Sequence, residues 1–209
     1  GLGDVYKRQV LRSRGHPVMQ PGQRERFRET LAWSRIDLEF ASDEALIEEV
    51  QSDWVRAAAC VKRWIGHCRK SKVELPVWFE LRGGLDGIEY YIDYVLTPYL
   101  GLWQEAMLSA SIDFIHRELG IGNIYYHSHE TGGVVKRIDW GQAPRSLYSR
   151  LPRRFCFERT RAAPRFLQTN RGFRKRIKKA KDPYWYKLTF SNKDCSGTTD
   201  GGGEPRSTE

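Results

Sequence analysis

Residues 99–128 read YLGLWQEAMLSASIDFIHRELGIGNIYYHS, and the two halves of this stretch carry different periods. In the first, Trp103, Met107, Ala110 and Phe114 recur at steps of three and four, and Leu108, Ile112, Ile115 and Leu119 form an adjacent stripe. That spacing predicts an amphipathic helix over 99–119 with a broad apolar face, closed by Gly120 as its C-cap. In the second half, Ile121–Ser128 is a short run rich in Ile and Tyr, bounded by Gly122 and by the Gly132-Gly133 pair, which marks a strand. A long helix feeding directly into a strand is half of a parallel crossover, so the strand needs a parallel neighbour upstream.

The N-terminal side supplies that neighbour. Ile36, Leu38 and Phe40 alternate with Arg35, Asp37 and Glu39, a period of two that predicts a strand over 31–40 with one face buried. Ala41-Ser42-Asp43-Glu44 reads as a turn and Ala45–Gln51 as a second strand, giving an antiparallel hairpin. The pleat is expected to place Ile47, Glu49 and Gln51 on one face, with Asp53 just beyond, and Leu46, Glu48 and Val50 on the other. Trp54, Ala58, Val61, Ile65 and Cys68 then predict a helix whose opposite face is basic through Arg56, Lys62, Arg63, Arg69 and Lys70. A short extended segment over 77–81, ended by Gly83-Gly84, and a helix over 88–96 stopped ahead of Pro98 complete this half. Pro17, Pro21 and Gly22 make 10–22 an irregular entry.

Downstream, Ser146–Phe155 predicts a helix after Pro144 that Pro152 ends or kinks. Tyr184, Tyr186, Leu188 and Phe190 alternate with polar partners in a last strand. Residues 191–209 are too rich in Ser, Thr and Gly to bury apolar surface and are expected to be a disordered tail. The fold class expected is α/β (α+β): one domain over residues 10–190, with a mixed sheet, a strand-helix-strand parallel core, flanking helices and a helical insertion at about 54–98.

A chain of 209 residues with 40% hydrophobic, 12% aromatic and 29% charged residues can bury a sizeable core, which sets aside collagen-like and wholly disordered classes. No uncharged apolar run approaches the roughly 18 residues of a spanning helix, so no membrane partner is expected. Four cysteines, Cys60, Cys68, Cys156 and Cys195, lack both the density of a disulfide scaffold and the close pairs of a zinc ribbon, which points to reduced thiols in a cytoplasm. The formal net charge of +9 is unevenly placed: residues 1–135 carry 16 Lys and Arg against 19 Asp and Glu, whereas residues 136–187 carry 17 against 3. A half that strongly favours anions suggests a phosphate-bearing partner, either nucleic acid or a nucleotide-like cofactor, or else a solvated basic face. Asp4-Val5-Tyr6-Lys7-Arg8-Gln9 back-translates to a transposon mosaic end used in sequencing libraries, so residues 1–9 read as an adapter-derived scar, and with no Met at the start the natural N-terminus is expected to be missing.

Ligands gather at the carboxyl ends of parallel strands, so Glu49, Gln51 and Asp53 at the end of one strand and His127 and His129 at the end of the other are expected to line one cleft. A carboxylate beside an imidazole supplies a general base and a proton relay; the alternative is that the acids pair with arginines while the histidines bond to backbone. His127 and His129 share one side of a strand, yet a third ligand would have to come from Asp53 or His67, and no metal is expected. Gly132-Gly133 with Lys136 and Arg137 can present amides and cations to a phosphate, or form a simple turn, and Arg145 would add to the anion-binding charge. Arg174, Lys175, Arg176, Lys178 and Lys179, followed by Trp185, mix cations with an aromatic in the manner of a nucleic-acid contact; the alternative is a solvated basic helix.

The order of elements (hairpin, strand ending in acidic and polar residues, long helix, parallel strand, short Leu-Tyr helix, aromatic strand, final strand) resembles the GNAT acyltransferase fold. The closest local echo is Ser146-Leu147-Tyr148-Ser149-Arg150-Leu151 running into Phe155-Cys156-Phe157-Glu158, which looks like that superfamily's fourth helix and following strand. The resemblance implies acetyl-coenzyme A or another acyl-coenzyme A as cofactor and an amine as acceptor, with Glu49 or Asp53 as base, His127 or His129 as relay, and Gly132, Gly133, Lys136, Arg137 and Arg145 around the phosphates. GNAT enzymes hold the pyrophosphate on a glycine-rich loop that opens a helix, and helix-opening amides bind anions; the matching place here, Gln51-Ser52-Asp53-Trp54-Val55-Arg56, has no glycine and an added acid. Separately, Ile47-Glu48-Glu49-Val50-Gln51-Ser52-Asp53-Trp54 is similar to a motif of phage and mobile-element proteins, which implies as rivals a non-catalytic basic module that binds nucleic acid or a degenerate domain that serves as an interaction platform.

Overall fold

The structure is a computed structural model that describes residues 18–19, 27–28, 31–72, 85–136 and 144–191. The adapter-like residues 1–9, the segment expected over 77–81, Arg137 and the expected tail from residue 192 onward lie outside the described residues. Strands β1 (Val18–Met19) and β2 (Phe27–Arg28) form a two-residue antiparallel ladder, the first of them inside the stretch expected to be irregular. The main sheet holds β3 (Trp33–Glu39), β4 (Glu44–Gln51), β5 (Asn123–His127), β6 (Glu158–Thr160) and β7 (Trp185–Thr189) in the order β3-β4-β5-β7-β6. It is mixed as expected: β3 and β4 are the antiparallel hairpin, β4 and β5 run parallel, and β7 pairs antiparallel with both β5 and β6.

Within the hairpin the expected pleat is broken by a bulge. Arg35 faces Glu49 and Ile36 faces Ile47, so Glu48 is an extra residue on β4. An inserted residue reverses the alternation beyond it. Val50 therefore packs on the same core as Ala45 and Ile47, not on the face of Leu46 as simple alternation required. The parallel pairing of β4 with β5 ends at Ile47 opposite Tyr126, while β4 continues to Gln51, and the two strands part.

The helices are α1 (Asp53–Ser71), α2 (Leu85–Tyr90), α3 (Thr97–Leu100), α4 (Trp103–Asp113), α5 (His129–Lys136), α6 (Arg150–Arg154), α7 (Arg165–Thr169) and α8 (Arg171–Ile177). Ser52 starts α1 with extended backbone and a hydroxyl that accepts the Val55 amide at 3.0 Å, an N-cap that satisfies one of the free amides of the first turn. The buried stripe of α1 is Trp54, Ala58, Val61, Ile65 and Cys68, the five residues the period gives, and it packs on Ile88, Tyr91, Ile92 and Leu96 as a core of its own. Contrary to expectation the second helical run does not stop before Pro98: α2 continues as a π-helical stretch, Tyr91–Leu96, into α3. Pro98 lies inside this continuous helical run and has no amide to return to the preceding turn; the widened π-helical stretch ahead of it accommodates the gap, and the turn is tied by Thr97 Oγ1 donating to Ile92 O at 2.9 Å.

The long helix is α4 continued by a π-helical stretch, Phe114–Glu118, and Gly120 closes it at a φ of +68°. Its buried stripe is narrower than predicted. Leu108, Ser111 and Ile115 are buried and Trp103, Met107, Ile112 and Leu119 flank them, whereas Ala110 and Phe114 face outward. Ser111 fits a core position because its hydroxyl bonds Met107 O and the Ser34 hydroxyl, each at 2.8 Å. This helix, α6 and the 3-10 turn Arg145–Tyr148 cover one sheet face on Ala45, Ile47, Val50, Ile124, Tyr126 and Tyr186. The other face, Leu46, Tyr125 and Trp185, is covered by Phe173 of α8 with Val135 of α5 and Leu167 of α7 alongside. The break expected at Pro152 falls earlier, at Ser149, between the 3-10 turn and α6, and Pro152 lies inside the first turn of α6. Among the described residues no helix is long and apolar enough to cross a membrane.

Candidate functional site

Where β4 and β5 part, a slot of about 250 Å³ opens at their carboxyl ends. Its floor carries Glu49, Val50 and Gln51. The first turns of α1 form one wall through Ser52, Val55, Arg56 and Ala59, and the other comes from α5 through His129, Gly132, Gly133 and Lys136, with Leu147, Tyr148 and Trp103 closing it. Gly132 and Gly133 are thus not a loop or turn. They sit within α5, where the Gly132 amide is spent on Ser128 O at 2.9 Å, so it has no proton to offer a phosphate. Their contribution is a wall without side chains, next to the cavity.

The strongest polar feature of the slot is set by the bulge. Lys136 Nζ donates to Glu48 O at 2.6 Å and lies 3.0 Å from Glu49 Oε1, with both side chains almost wholly buried. Burial pushes the Lys136 ammonium down from the usual lysine range against the opposing pull of Glu49. Tyr148 stands across from this pair. Burial, and secondarily the negative charge of Glu49 and Glu48, pushes its phenol up to about 12, so it is a protonated donor at neutral pH. His129 shares the slot and meets Tyr148 edge to face, with ring centroids 6.3 Å apart.

The five residues expected in one cleft separate on inspection. Glu49, Gln51 and His129 do line it. Asp53 is the first residue of α1 and is engaged by Gln51 Nε2 at 2.5 Å, Trp33 Nε1 at 3.3 Å and Arg56 Nη2 at 2.6 Å, so it orders the start of the helix and does not face the slot. His127 does not share a face with His129. It closes β5 two residues after Tyr125, on the α8 side of the sheet, is 0% exposed, and neither ring nitrogen has a hydrogen-bond partner among the described residues, whereas His129 begins α5. Burial, with the nearby Lys136 charge, pulls the His127 imidazole down to about 3, which disqualifies it as a relay at neutral pH.

Of the phosphate candidates, Lys136 is in the slot and Arg145 is on the exterior, paired with Glu130 at 2.5 Å. Arg56 belongs by its period to the basic face of α1 and in the structure also lines the slot from the first turn of that helix. Tyr148, absent from the residues that strand position points to, also lines the slot. The signal was present in the Leu147-Tyr148 pair on the segment that resembles a GNAT helix. On the opposite surface Trp185 is 2% exposed, covered by Phe173, and cannot stack on a base. Arg174, Lys175, Lys178 and Lys179 are exposed, while Arg176 is half-buried. Among the described residues no three His, Cys, Asp or Glu side chains converge as metal ligands would. Comparison with protein-family models, with curated proteins and with solved structures finds no significant match.

Proposed function

We propose that the chain is an acyltransferase that moves an acyl group from acyl-coenzyme A to an amine within this slot. The observation that carries the proposal is the slot itself, opened by the Glu48 bulge at the carboxyl ends of the parallel strands, with a protonated phenol on one side and a carboxylate-ammonium pair on the other. The element order that resembles the GNAT superfamily, now seen as a mixed sheet with β4 parallel to β5, supports the same conclusion.

The roles follow from position. The amine nitrogen attacks the thioester carbon and gives up a proton to the Glu49 carboxylate, directly or through His129 across the slot. The C–S bond breaks and the leaving thiolate takes the Tyr148 phenol proton, and proton return from Glu49 to Tyr148 through solvent resets the site. The pyrophosphate would lie beside the start of α1, where the helix dipole favours an anion and Arg56 would exchange its 2.6 Å pairing with Asp53 for the phosphate, the segment having an acid in place of the glycines. The free thiols of Cys60, Cys68 and Cys156 fit the reducing cytoplasm in which such a reaction would be placed.

Calorimetry with acetyl-coenzyme A, followed by detection of free coenzyme A thiol over a panel of primary amines, tests this. Wild-type protein should bind saturably. Tyr148→Phe should bind equally well and lose roughly 10²- to 10⁴-fold in turnover, the usual contribution of a general acid. Absence of acetyl-coenzyme A binding would refute the proposal.

A further inference from the structure

Most of the cations around the sheet have a carboxylate partner, among them Arg145, Arg154, Arg159, Arg161 and Arg165, whereas those on the outer face of α8 have none among the described residues. On α1 three of the cations are paired, Arg56 with Asp53 at 2.6 Å, Lys62 with Asp93 at 2.5 Å, and Arg69 with Asp86 and Glu89, each at 2.6 Å, which leaves only Arg63 and Lys70 of that helix exposed and without a carboxylate partner among the described residues. Arg171, Arg174, Lys175, Lys178, Lys179 and Lys181, by contrast, are all exposed, and none has a carboxylate in ion-pairing range among the described residues. The helical step of about 100° per residue places the first four within a single arc of roughly 100°, opposite the buried Phe173. The remaining two follow directly at the helix end, so α8 presents one continuous cationic ridge whose apolar side is already spent on Trp185.

We infer that this ridge is a binding surface for double-stranded nucleic acid, read through its phosphates without regard to sequence. The inference is independent of the acyl-transfer proposal. Three alternatives lack the features they need. Membrane insertion requires apolar side chains beside the cations, yet none of the exposed large hydrophobic residues lies between 144 and 191. Single strands are held by stacking on free aromatics, but Trp185 and Tyr186 are buried and the Tyr184 ring is covered by the Arg159 guanidinium at 3.9 Å. A protein interface centres on a desolvated core of aromatic or aliphatic side chains around its arginines, and none of the exposed large hydrophobic residues lies on α8 beside Arg171 or Arg174. A surface of unpaired charge alone matches a ligand that is itself a regular array of charge, the duplex backbone.

Fluorescence anisotropy with short duplexes of two unrelated sequences, across a salt series, tests this. With six phosphate contacts the affinity should fall about 10³-fold between 50 and 200 mM salt, at a log–log slope of roughly −5. Both duplexes should bind alike. Replacing Arg174, Lys175, Lys178 and Lys179 by Gln should cut the magnitude of the slope by roughly 3 to 4, at about 0.9 per cation removed. Replacing Arg63, Lys70 and Lys72, exposed cations on or just beyond α1, should leave it unchanged. Absence of salt-dependent duplex binding by the wild-type protein overturns the inference without recourse to any variant. Equal loss in both variants, preference for single strands, or binding to phosphatidylserine vesicles in place of duplex overturns it too.

Discussion

Lowering the pH should destabilise this fold through one residue, His127, well before its carboxylates protonate. The imidazole is 0% exposed, unpartnered at both nitrogens among the described residues, and held near 3 by burial and the Lys136 charge. In the unfolded chain the same group titrates at about 6.5. Its folded-state value is depressed, so no stability is lost above the unfolded value; below it the unfolded state takes up a proton that the folded state refuses, until the folded protein also protonates near pH 3. At about 1.4 kcal/mol per pH unit, the loss attributable to His127 reaches roughly 2 kcal/mol at pH 5. Urea unfolding followed by tryptophan fluorescence, at about pH 7.5 and about pH 5, measures this in the wild-type protein and in His127→Leu, which keeps an apolar side chain of similar size without the titrating group. The variant should lose roughly 2 kcal/mol less than the wild type between those conditions, whatever its stability at neutral pH. Equal losses in the two proteins would refute the assignment of a buried neutral imidazole.

Lys136→Met should cost about 1–3 kcal/mol, since it removes the nearer of the two cations beside Glu49, leaving Arg35 at 3.8 Å, and strips the Glu48 carbonyl of its donor; adding Glu49→Leu should recover part of that loss in the same denaturation assay. Asp43 holds the hairpin turn with a φ of 55° and accepts the Gly122 amide at 2.7 Å and Asn123 Nδ2 at 2.9 Å, tying the turn to the start of β5; Asp43→Ala should lower stability by about 1–3 kcal/mol, measured as a shift in urea midpoint. Ser52→Ala removes the cap of α1 and the hydroxyl that reaches Leu31 O, and should cost about 0.5–2 kcal/mol, seen as a lower midpoint with reduced helical ellipticity.

Local period located the elements, though not always their buried faces: Ala110 and Phe114 fit the stripe of the long helix and yet face outward. The stripe from Trp54 to Cys68 and the hairpin ending at Gln51 are local patterns, and the structure reproduces them. The parallel pairing of β4 with β5 also followed, because a long helix leading into a strand leaves few alternatives. What escaped was decided by contacts distant in the chain. Glu48-Glu49 looks like continued alternation, and nothing beside it announces a bulge; the displaced Glu48 carbonyl is satisfied by Lys136, 88 positions away. Gly132-Gly133 has low helix propensity, so α5 could not be anticipated from its own residues. It is held by the Ser128 cap on the Thr131 amide, by Thr131 bonding Tyr184 O, and by packing on α8. The slot follows the same logic: position along a strand placed Glu49 and Gln51 on its lining but could not reveal that Asp53 is engaged by Trp33 and Arg56, or that Tyr148 arrives from a distant turn.

The separate core beneath α1 supports one wall of the slot. Its stripe rests on Ile88, Tyr91, Ile92 and Leu96, whereas the opposite wall is anchored to the sheet, so the two walls answer to different free energies. Segments with cores of their own open as cooperative units below the threshold of global unfolding. The first turn of α1 is nonetheless fastened to the hairpin, by the Ser52 hydroxyl on Leu31 O and by Trp33 Nε1 and Gln51 Nε2 on Asp53, so the end of the helix that lines the slot is held by the sheet and only its distal turns depend wholly on the second core. An occupant of the slot thus meets the fixed end of the helix on one side and the sheet-anchored wall on the other.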